Sequence, residues 1–268
     1  MAQQVAWAAG KPGEEDVLLG LEADTAAYLG WLGKARELSN RAVASAQRSE
    51  ETETAASYEA EVALRESLFG NGAEARRRAE AALMLSNGRD VQYGAALALS
   101  GGPNASGAQA EAEKLADDLA KHFPEATVVQ FNYLPTIRAQ LMLSRNDSSK
   151  AIEVLQAAAP NELGTPGSGG GASWANLYPV YVRGEAYLAA HQGGEAAAEF
   201  QKILDHRGIV LNEPIGALAH LQIGRAYAMQ GDTAKAKAAY QDFLSLWKDA
   251  DADIPVLKQA KAEYAKLQ

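Results

Sequence analysis

Residues 184–203 read GEAYLAAHQGGEAAAEFQKI, and residues 224–243 read GRAYAMQGDTAKAKAAYQDF. Both stretches carry a glycine, a tyrosine, an alanine and two large apolar residues at successive steps of three, nine, four and three positions. The residues are Gly184, Tyr187, Ala196, Phe200 and Ile203 in the first stretch, and Gly224, Tyr227, Ala236, Tyr240 and Phe243 in the second. Small residues let two antiparallel helices approach closely, and large side chains fill the space that remains. The spacing therefore predicts two consecutive helix pairs.

This glycine–tyrosine–alanine–aromatic spacing is typical of a tetratricopeptide (TPR) repeat. A similar core of small and apolar residues recurs towards the N-terminus at Ala35, Ser39 and Ala42, at Ala75, Ala79 and Ala82, at Ala112, Ala116 and Leu119, and at Ala151, Leu155 and Ala158. The first alanines of the six sets lie 40, 37, 39, 45 and 40 residues apart. These intervals exceed the TPR period of ~34 residues and overlap the ~40–47 residues of other αα solenoids.

Helical apolar spacing predicts a partner helix ahead of each set, at about 17–29, 52–69, 90–100, 127–144, 176–190 and 214–230. The expected fold is all-α: a right-handed αα superhelix, or TPR-like solenoid, of about six helix pairs. Ile254 to Leu267 carries Leu257, Ala260 and Tyr264 on one stripe and is predicted to be a C-terminal capping helix. Terminal repeats need such a cap to cover an exposed apolar face.

We expect one continuous solenoid in three parts. Residues 1–160 form degenerate TPR-like helix pairs, residues 161–175 form a flexible loop, and residues 176–268 form the C-terminal TPR pairs and the cap. The middle part, NELGTPGSGGGASWA, holds five glycines and a proline where a short turn would suffice. Glycine- and serine-rich segments of this kind behave as flexible chains.

Composition excludes several function classes. A net charge of −9 and a pI near 5.1 argue against a nucleic-acid partner, because phosphate binding needs a basic face. The absence of cysteine removes disulfides and thiolate metal sites. No run of ~18 apolar residues is present, so we expect no membrane insertion by this segment.

No catalytic, cofactor or metal site is expected. The glycine-rich stretch at 164–171 lacks the Gly-Lys-Ser/Thr ending of a phosphate-binding loop. The four histidines, at positions 122, 191, 206 and 220, show none of the spacing of a helical metal site, and no serine lies in a GxSxG elbow. The stretch DHRG at 205–208 is not the HRD motif of a kinase, since its order is wrong. We therefore expect that this chain is not an enzyme.

Residues 177–268, together with QVAWAAGKPGEEDVLL at 4–19, FGNGAEAR at 69–76 and YLPTIRA at 133–139, resemble the C-terminal TPR region of bacterial receptor-like serine/threonine protein kinases. In that family a kinase domain is commonly followed by a membrane helix and then by this repeat region. The resemblance implies the sensor or docking end of such a kinase, placed beyond the membrane. No kinase motif is present in this chain, so phosphotransfer would belong to another part of a longer parent protein.

The first helix of each TPR pair lines the concave groove, so its non-core residues are the candidate ligand contacts. These are Tyr133, Thr136, Gln140, Tyr178, Tyr181, Glu185, Leu221 and Arg225. Tyrosines suit recognition of a protein or peptide, because each ring offers apolar area together with a hydroxyl. The competing interpretation is that Tyr178 and Tyr181 pack against the neighbouring repeat. A second functional hypothesis is a small-molecule sensor whose 161–175 loop closes over the ligand.

Overall fold

The computed structural model describes residues 2–101, 106–164 and 177–267. Within these ranges the chain forms fifteen α-helices and one π-helical turn, and no strand. The helices are α1 Ala2–Ala8, α2 Glu15–Tyr28, α3 Leu32–Arg48, α4 Thr52–Phe69, α5 Gly72–Leu85, α6 Arg89–Ser100, α7 Ser106–His122, α8 Leu134–Ser144, α9 Ser148–Leu155, α10 Tyr178–Ala189, α11 Gly193–Asp205, α12 Arg207–Val210, α13 Pro214–Met229, α14 Thr233–Leu246 and α15 Pro255–Ala265. The predicted all-α class is confirmed.

Helices adjacent in the chain pack as pairs: α2 with α3, α4 with α5, α6 with α7, α8 with α9, α10 with α11, and α13 with α14. The small-residue sets that predicted the second helices are buried, from Ala35 at 0% exposure to Phe243 at 0%. The paired packing is thus confirmed, whereas the right-handed superhelix and its TPR class stay predictions. The short helix α1, which packs against α2, was not predicted.

The glycines of the two starting stretches lie where the pattern places them. A Cβ atom built on Gly184 would come within 2.6 Å of the Phe200 ring, and one on Gly224 within 2.9 Å of the Tyr240 ring. Both distances are shorter than carbon–carbon contact allows. Each glycine therefore lets the aromatic ring of the second helix lie against the backbone of the first.

Local chemistry explains where several helices begin. Proline lies in the first turn of α8, α10, α13 and α15, where its fixed φ suits a helix and its missing amide hydrogen is not needed. Asp232 accepts a hydrogen bond of 3.1 Å from the Lys235 amide and so caps α14. The π-helical turn Val129–Tyr133 leads directly into Leu134 and Pro135, so α8 starts where the regular hydrogen-bond ladder is already shifted.

The array closes on itself. Helix α13 contacts α2 and α4, and α15 contacts α4 as well as α14. Phe69 at the end of α4 meets Trp247 edge to face at 5.1 Å, and the Asp251 amide donates a 3.0 Å hydrogen bond to the Gly30 carbonyl. Helix α15 is therefore more than the predicted terminal cap, because it also packs against a helix of the second unit.

Residues 165–175 of the predicted loop lie outside the described residues. Its first residues are described, and Glu162 there is only 5% exposed. The Glu162 carboxylate pairs with Arg183 and with Lys202, each at 2.8 Å. None of the described helices is long and apolar enough to cross a bilayer.

Candidate functional site

A cavity of about 190 Å³ lies where the first helices of the units meet α15. Residues from α4, α6, α8, α10, α13 and α15, with the glycines that end α4 and α6, form its wall: Leu64, Ser67, Leu68, Gly70, Leu97, Gly101, Gln140, Tyr178, Tyr181, Val182, Glu185, Gln222, Arg225, Val256 and Gln259. The cavity exists because the array closes, since α4 and α15 come from opposite ends of the described chain.

Five of the eight candidate residues line this cavity: Gln140, Tyr178, Tyr181, Glu185 and Arg225. On α10, Tyr178, Tyr181 and Glu185 follow each other at steps of three and four, which places them on one face of the helix. The structure thus brings together candidates from three units. What they bind stays a prediction.

The other three candidates lie outside the cavity wall. Tyr133 stacks on Tyr93 with ring centroids 3.8 Å apart, and its hydroxyl donates a 2.7 Å hydrogen bond to Asp90. The Thr136 hydroxyl donates to the Asn132 carbonyl at 2.6 Å, which turns it back onto its own helix. Leu221 is fully buried in the hydrophobic core. All three are internal packing residues, held by a neighbouring helix, by their own helical segment or by the core.

A hydrogen-bonded network crosses the cavity wall from α10 to α15. The Gln222 side-chain amide donates to the Tyr181 hydroxyl at 3.0 Å and to the Glu185 carboxylate at 3.3 Å. The Gln222 amide oxygen accepts a bond of 3.2 Å from Arg225. Arg225 in turn donates two bonds to Glu263, at 2.9 and 3.0 Å, and so holds the cap helix against α13.

Burial raises the pKa of two groups in this network, the Glu185 carboxyl and the Tyr181 hydroxyl. The pKa of Glu185 is raised to about 7, because burial disfavours the carboxylate more than the positive charge of Arg225 favours it. The pKa of the Tyr181 hydroxyl is also raised, first by burial and then by the nearby Glu185 charge. Near neutral pH, Glu185 therefore exchanges between a neutral and a charged form.

One acceptor in the wall has no partner. The Gln140 side-chain oxygen is buried and receives no hydrogen bond within the ranges that the structure describes. A buried amide oxygen without a donor costs free energy, which a suitable ligand or water in the cavity would recover.

Further carboxylates lie behind Tyr178. Its hydroxyl donates a 2.8 Å hydrogen bond to Glu213. The pKa of Glu61 is raised well above its usual range by burial and then by the charges of Asp24 and Glu213. The Arg65 guanidinium is held by Asp24 at 2.6 Å. The interior of the array next to the cavity is therefore rich in acids.

Sequence reasoning missed Gln222 and Gln259, and the whole contribution of α4. Gln222 was open to detection, since it is a lone amide in the apolar run PIGALAHLQIG and lies three residues before Arg225 on the same helix face. Leu64, Ser67 and Leu68 could not have been identified from the sequence, because nothing in their spacing indicates that α4 packs against α15.

No group of three or more metal-ligating side chains occurs among the described residues. His220 is half-buried, and burial lowers its pKa, so it is favoured in its neutral form. His206 donates from its ring to the Lys202 carbonyl at 2.7 Å, at the end of α11.

The chain is thus an all-α protein built of adjacent packed helix pairs, with a cavity between them that is lined by both polar and apolar side chains. A comparison with models of protein families finds no match, and a comparison with curated proteins finds no relative.

Proposed function

We propose that this protein is a noncatalytic binding module that senses a small molecule in its central cavity. One observation carries the proposal: eight polar or charged side chains from five helices line one cavity, together with the glycines that end α4 and α6. Ligand sites are typically concave, with a few polar groups placed among apolar ones. Leu64, Leu68, Leu97, Val182 and Val256 supply the aliphatic part of this wall.

The cavity volume limits the size of the ligand. A water molecule occupies about 30 Å³ of liquid, and an apolar cavity of about 150 Å³ holds benzene. The cavity of about 190 Å³ therefore suits a molecule of roughly six to eight non-hydrogen atoms. It lies below the ~300–1,000 Å³ of sites for drug-sized ligands.

A peptide in an open concave groove is less well supported. Five of the eight candidate groove residues, Tyr133, Thr136, Tyr178, Tyr181 and Leu221, are at most 5% exposed. A chain of several residues would reach them only after the contacts between the first and last units had separated. Docking of a protein partner in the groove is therefore a weaker proposal than binding of a small molecule.

The placement of this module in a longer protein is a separate proposal. By the resemblance of residues 177–268, the module is the sensor end of a bacterial serine/threonine kinase that lies beyond the membrane. Reading the genomic sequence upstream of Met1 tests this placement. A kinase domain followed by an apolar span of ~20 residues would support it, and a stop codon would oppose it.

Thermal unfolding in the presence of a metabolite collection tests ligand binding itself. A ligand present at 100 times its Kd stabilises the folded state by about 2.7 kcal/mol. Leu68 lines the cavity wall, so the larger side chain of Leu68→Trp fills the cavity. We expect this variant to lose the ligand-dependent rise in melting temperature. Met84→Trp is the matched control, since Met84 is 87% exposed. The proposal would be contradicted if no metabolite shifts the melting temperature, or if a metabolite shifts the melting temperatures of both variants equally.

A further inference from the structure

We infer that the cavity binds a small organic cation, with an ammonium or guanidinium group that contacts Gln140 and Glu185. This inference rests on the proposed small-molecule function and specifies the chemical class of the ligand. It follows from which hydrogen-bonding groups of the wall are already occupied and which are open.

Two acceptors of the wall are unpaired or weakly bonded among the described residues. The buried Gln140 side-chain oxygen has no donor in the described part of the chain. The bond that Glu185 receives from Gln222 is 3.3 Å long, which is at the weak end for an N–H···O bond. A ligand with several N–H donors would satisfy both residues at once.

The cationic donor of the wall, Arg225, is engaged. Arg225 forms a two-bond pair with Glu263 and gives a third bond to Gln222. Glu263 is held further by the Tyr240 hydroxyl at 2.8 Å, so the Arg225–Glu263 pair is fixed from both sides. The Tyr178 hydroxyl donates to Glu213. An anionic ligand would have to break one of these bonds to gain a cationic partner.

The charges around the cavity favour the same class. Arg225 is paired with Glu263 and Arg65 with Asp24, so each of these two cations already has an acidic partner. An ionised Glu185 adds a negative charge to the cavity wall, which attracts a cation and repels an anion. The rings of Tyr178 and Tyr181 in the wall add faces that attract cations.

Binding of a cation should depend on pH through Glu185. The groups that face it are Gln222 and Arg225 on α13, Tyr181 on its own helix and, through Arg225, Glu263 on α15. Among these, Glu185 is the acid whose pKa lies near neutrality, at about 7. A cation prefers the ionised form, so its affinity should be complete above this pH and fall up to tenfold per pH unit below it.

Calorimetric titration of the full chain with three matched probes tests the inference. The probes are 1,4-diaminobutane, the neutral 1,4-butanediol and the anionic succinate, and guanidinium serves as a second cation. We expect the diamine and guanidinium to bind more tightly than the diol and the dianion. We also expect diamine affinity to rise between pH 6 and pH 8.

Two variants connect the affinity to the named groups. Glu185→Gln keeps the side-chain shape and removes the charge, and it should weaken diamine binding at least tenfold and remove the pH dependence. Gln140→Leu removes the open acceptor and should also weaken binding. Glu153→Gln, on the exposed face of α9, is the matched control and should leave the affinity unchanged.

The outcomes separate the two proposals. Diol or succinate binding that is lost in Leu68→Trp, without cation binding, would overturn the cation inference and leave the small-molecule function standing. Equal diamine affinity in Glu185→Gln and the unaltered protein would also overturn the inference. If no probe and no metabolite binds, the proposed function falls and the inference falls with it.

Discussion

The indole nitrogen of Trp247 donates a 2.9 Å hydrogen bond to the backbone carbonyl of Tyr28, 219 residues earlier in the chain. The Trp247 ring is 2% exposed and packs against Phe69 and Phe243, at centroid distances of 5.1 and 4.8 Å. One side chain therefore joins the last helix pair to the first two. The cavity depends on this closure, because its wall combines α4 with α13 and α15.

Trp247→Phe tests how much that closing contact contributes to the stability of the folded protein. The variant removes the N–H donor and leaves the Tyr28 carbonyl without it, so we expect a loss of about 1–3 kcal/mol in the free energy of unfolding. Urea unfolding followed by circular dichroism measures the loss. Trp31→Phe is the control, since Trp31 is 41% exposed, and it should change stability by less than about 0.5 kcal/mol. Equal effects of the two substitutions would show that closure adds nothing to stability.

Gly184→Ala tests the close contact within a helix pair. The added methyl would lie 2.6 Å from the Phe200 ring, and overpacking of this kind costs about 1–3 kcal/mol. Gly194→Ala in α11 is the matched control, because its added Cβ meets nothing within 4 Å. That control should be neutral or slightly stabilising, as alanine restricts the unfolded chain.

A second substitution completes this test. Phe200→Leu removes part of the ring that the new methyl would strike, so the double variant Gly184→Ala with Phe200→Leu should lose less stability than the sum of the single variants. Strictly additive losses would argue that the two residues do not interact.

Glu162→Gln tests whether the start of the glycine-rich segment is anchored. Glu162 bonds both Arg183 and Lys202, and an amide would place its N–H₂ group against one of these donors. Arg183 keeps its 2.6 Å bond to Glu199, so we expect a loss of about 1–3 kcal/mol, below that for a fully broken buried pair. Urea unfolding measures it, with the exposed Glu195→Gln as control. A loss no larger than that of the control would mean that Glu162 anchors nothing.

The sequence predicts the elements of this fold better than their closure. Gly184 with Phe200 and Gly224 with Tyr240 are local pairs, and the distances between them follow from packing two neighbouring helices. The contacts that close the array involve Gly30 and Asp251, which carry no periodic signal and lie in turns. The contact between Gly30 and Asp251 depends on the small rotations between successive helix pairs, added over all the units. No single stretch of sequence predicts that total rotation.

In the candidate site, too, local features follow from the sequence and long-range contacts do not. Tyr178, Tyr181 and Glu185 share a helix face, which the 3.6-residue period predicts directly. Leu221 occupies the same repeat position as Tyr181, 40 residues later, yet it is buried in the core. Its helix α13 packs against α2 and α4, so a position that faces the cavity in one unit faces protein in the next.

Glu185→Gln should raise stability in a pH-dependent way. The pKa of Glu185 is raised from 4.5 to about 7 in the folded protein, so folding favours the protonated acid. The stability that this group contributes is complete below pH 4.5 and is lost as the pH rises towards 7. Glutamine does not titrate, so the gain of the variant over the unaltered protein should be small at pH 5 and reach about 1–3 kcal/mol at pH 8.

Urea unfolding of both proteins at pH 5 and pH 8 measures this gain, and Glu153→Gln at the same two pH values gives the baseline for an exposed acid. The raised pKa of Glu61 does not disturb the comparison, because Glu61 is present in both proteins and its contribution cancels. A gain that is equal at the two pH values, or larger at pH 5, would mean that Glu185 is solvated in the folded state and that burial does not control the acid of the cavity.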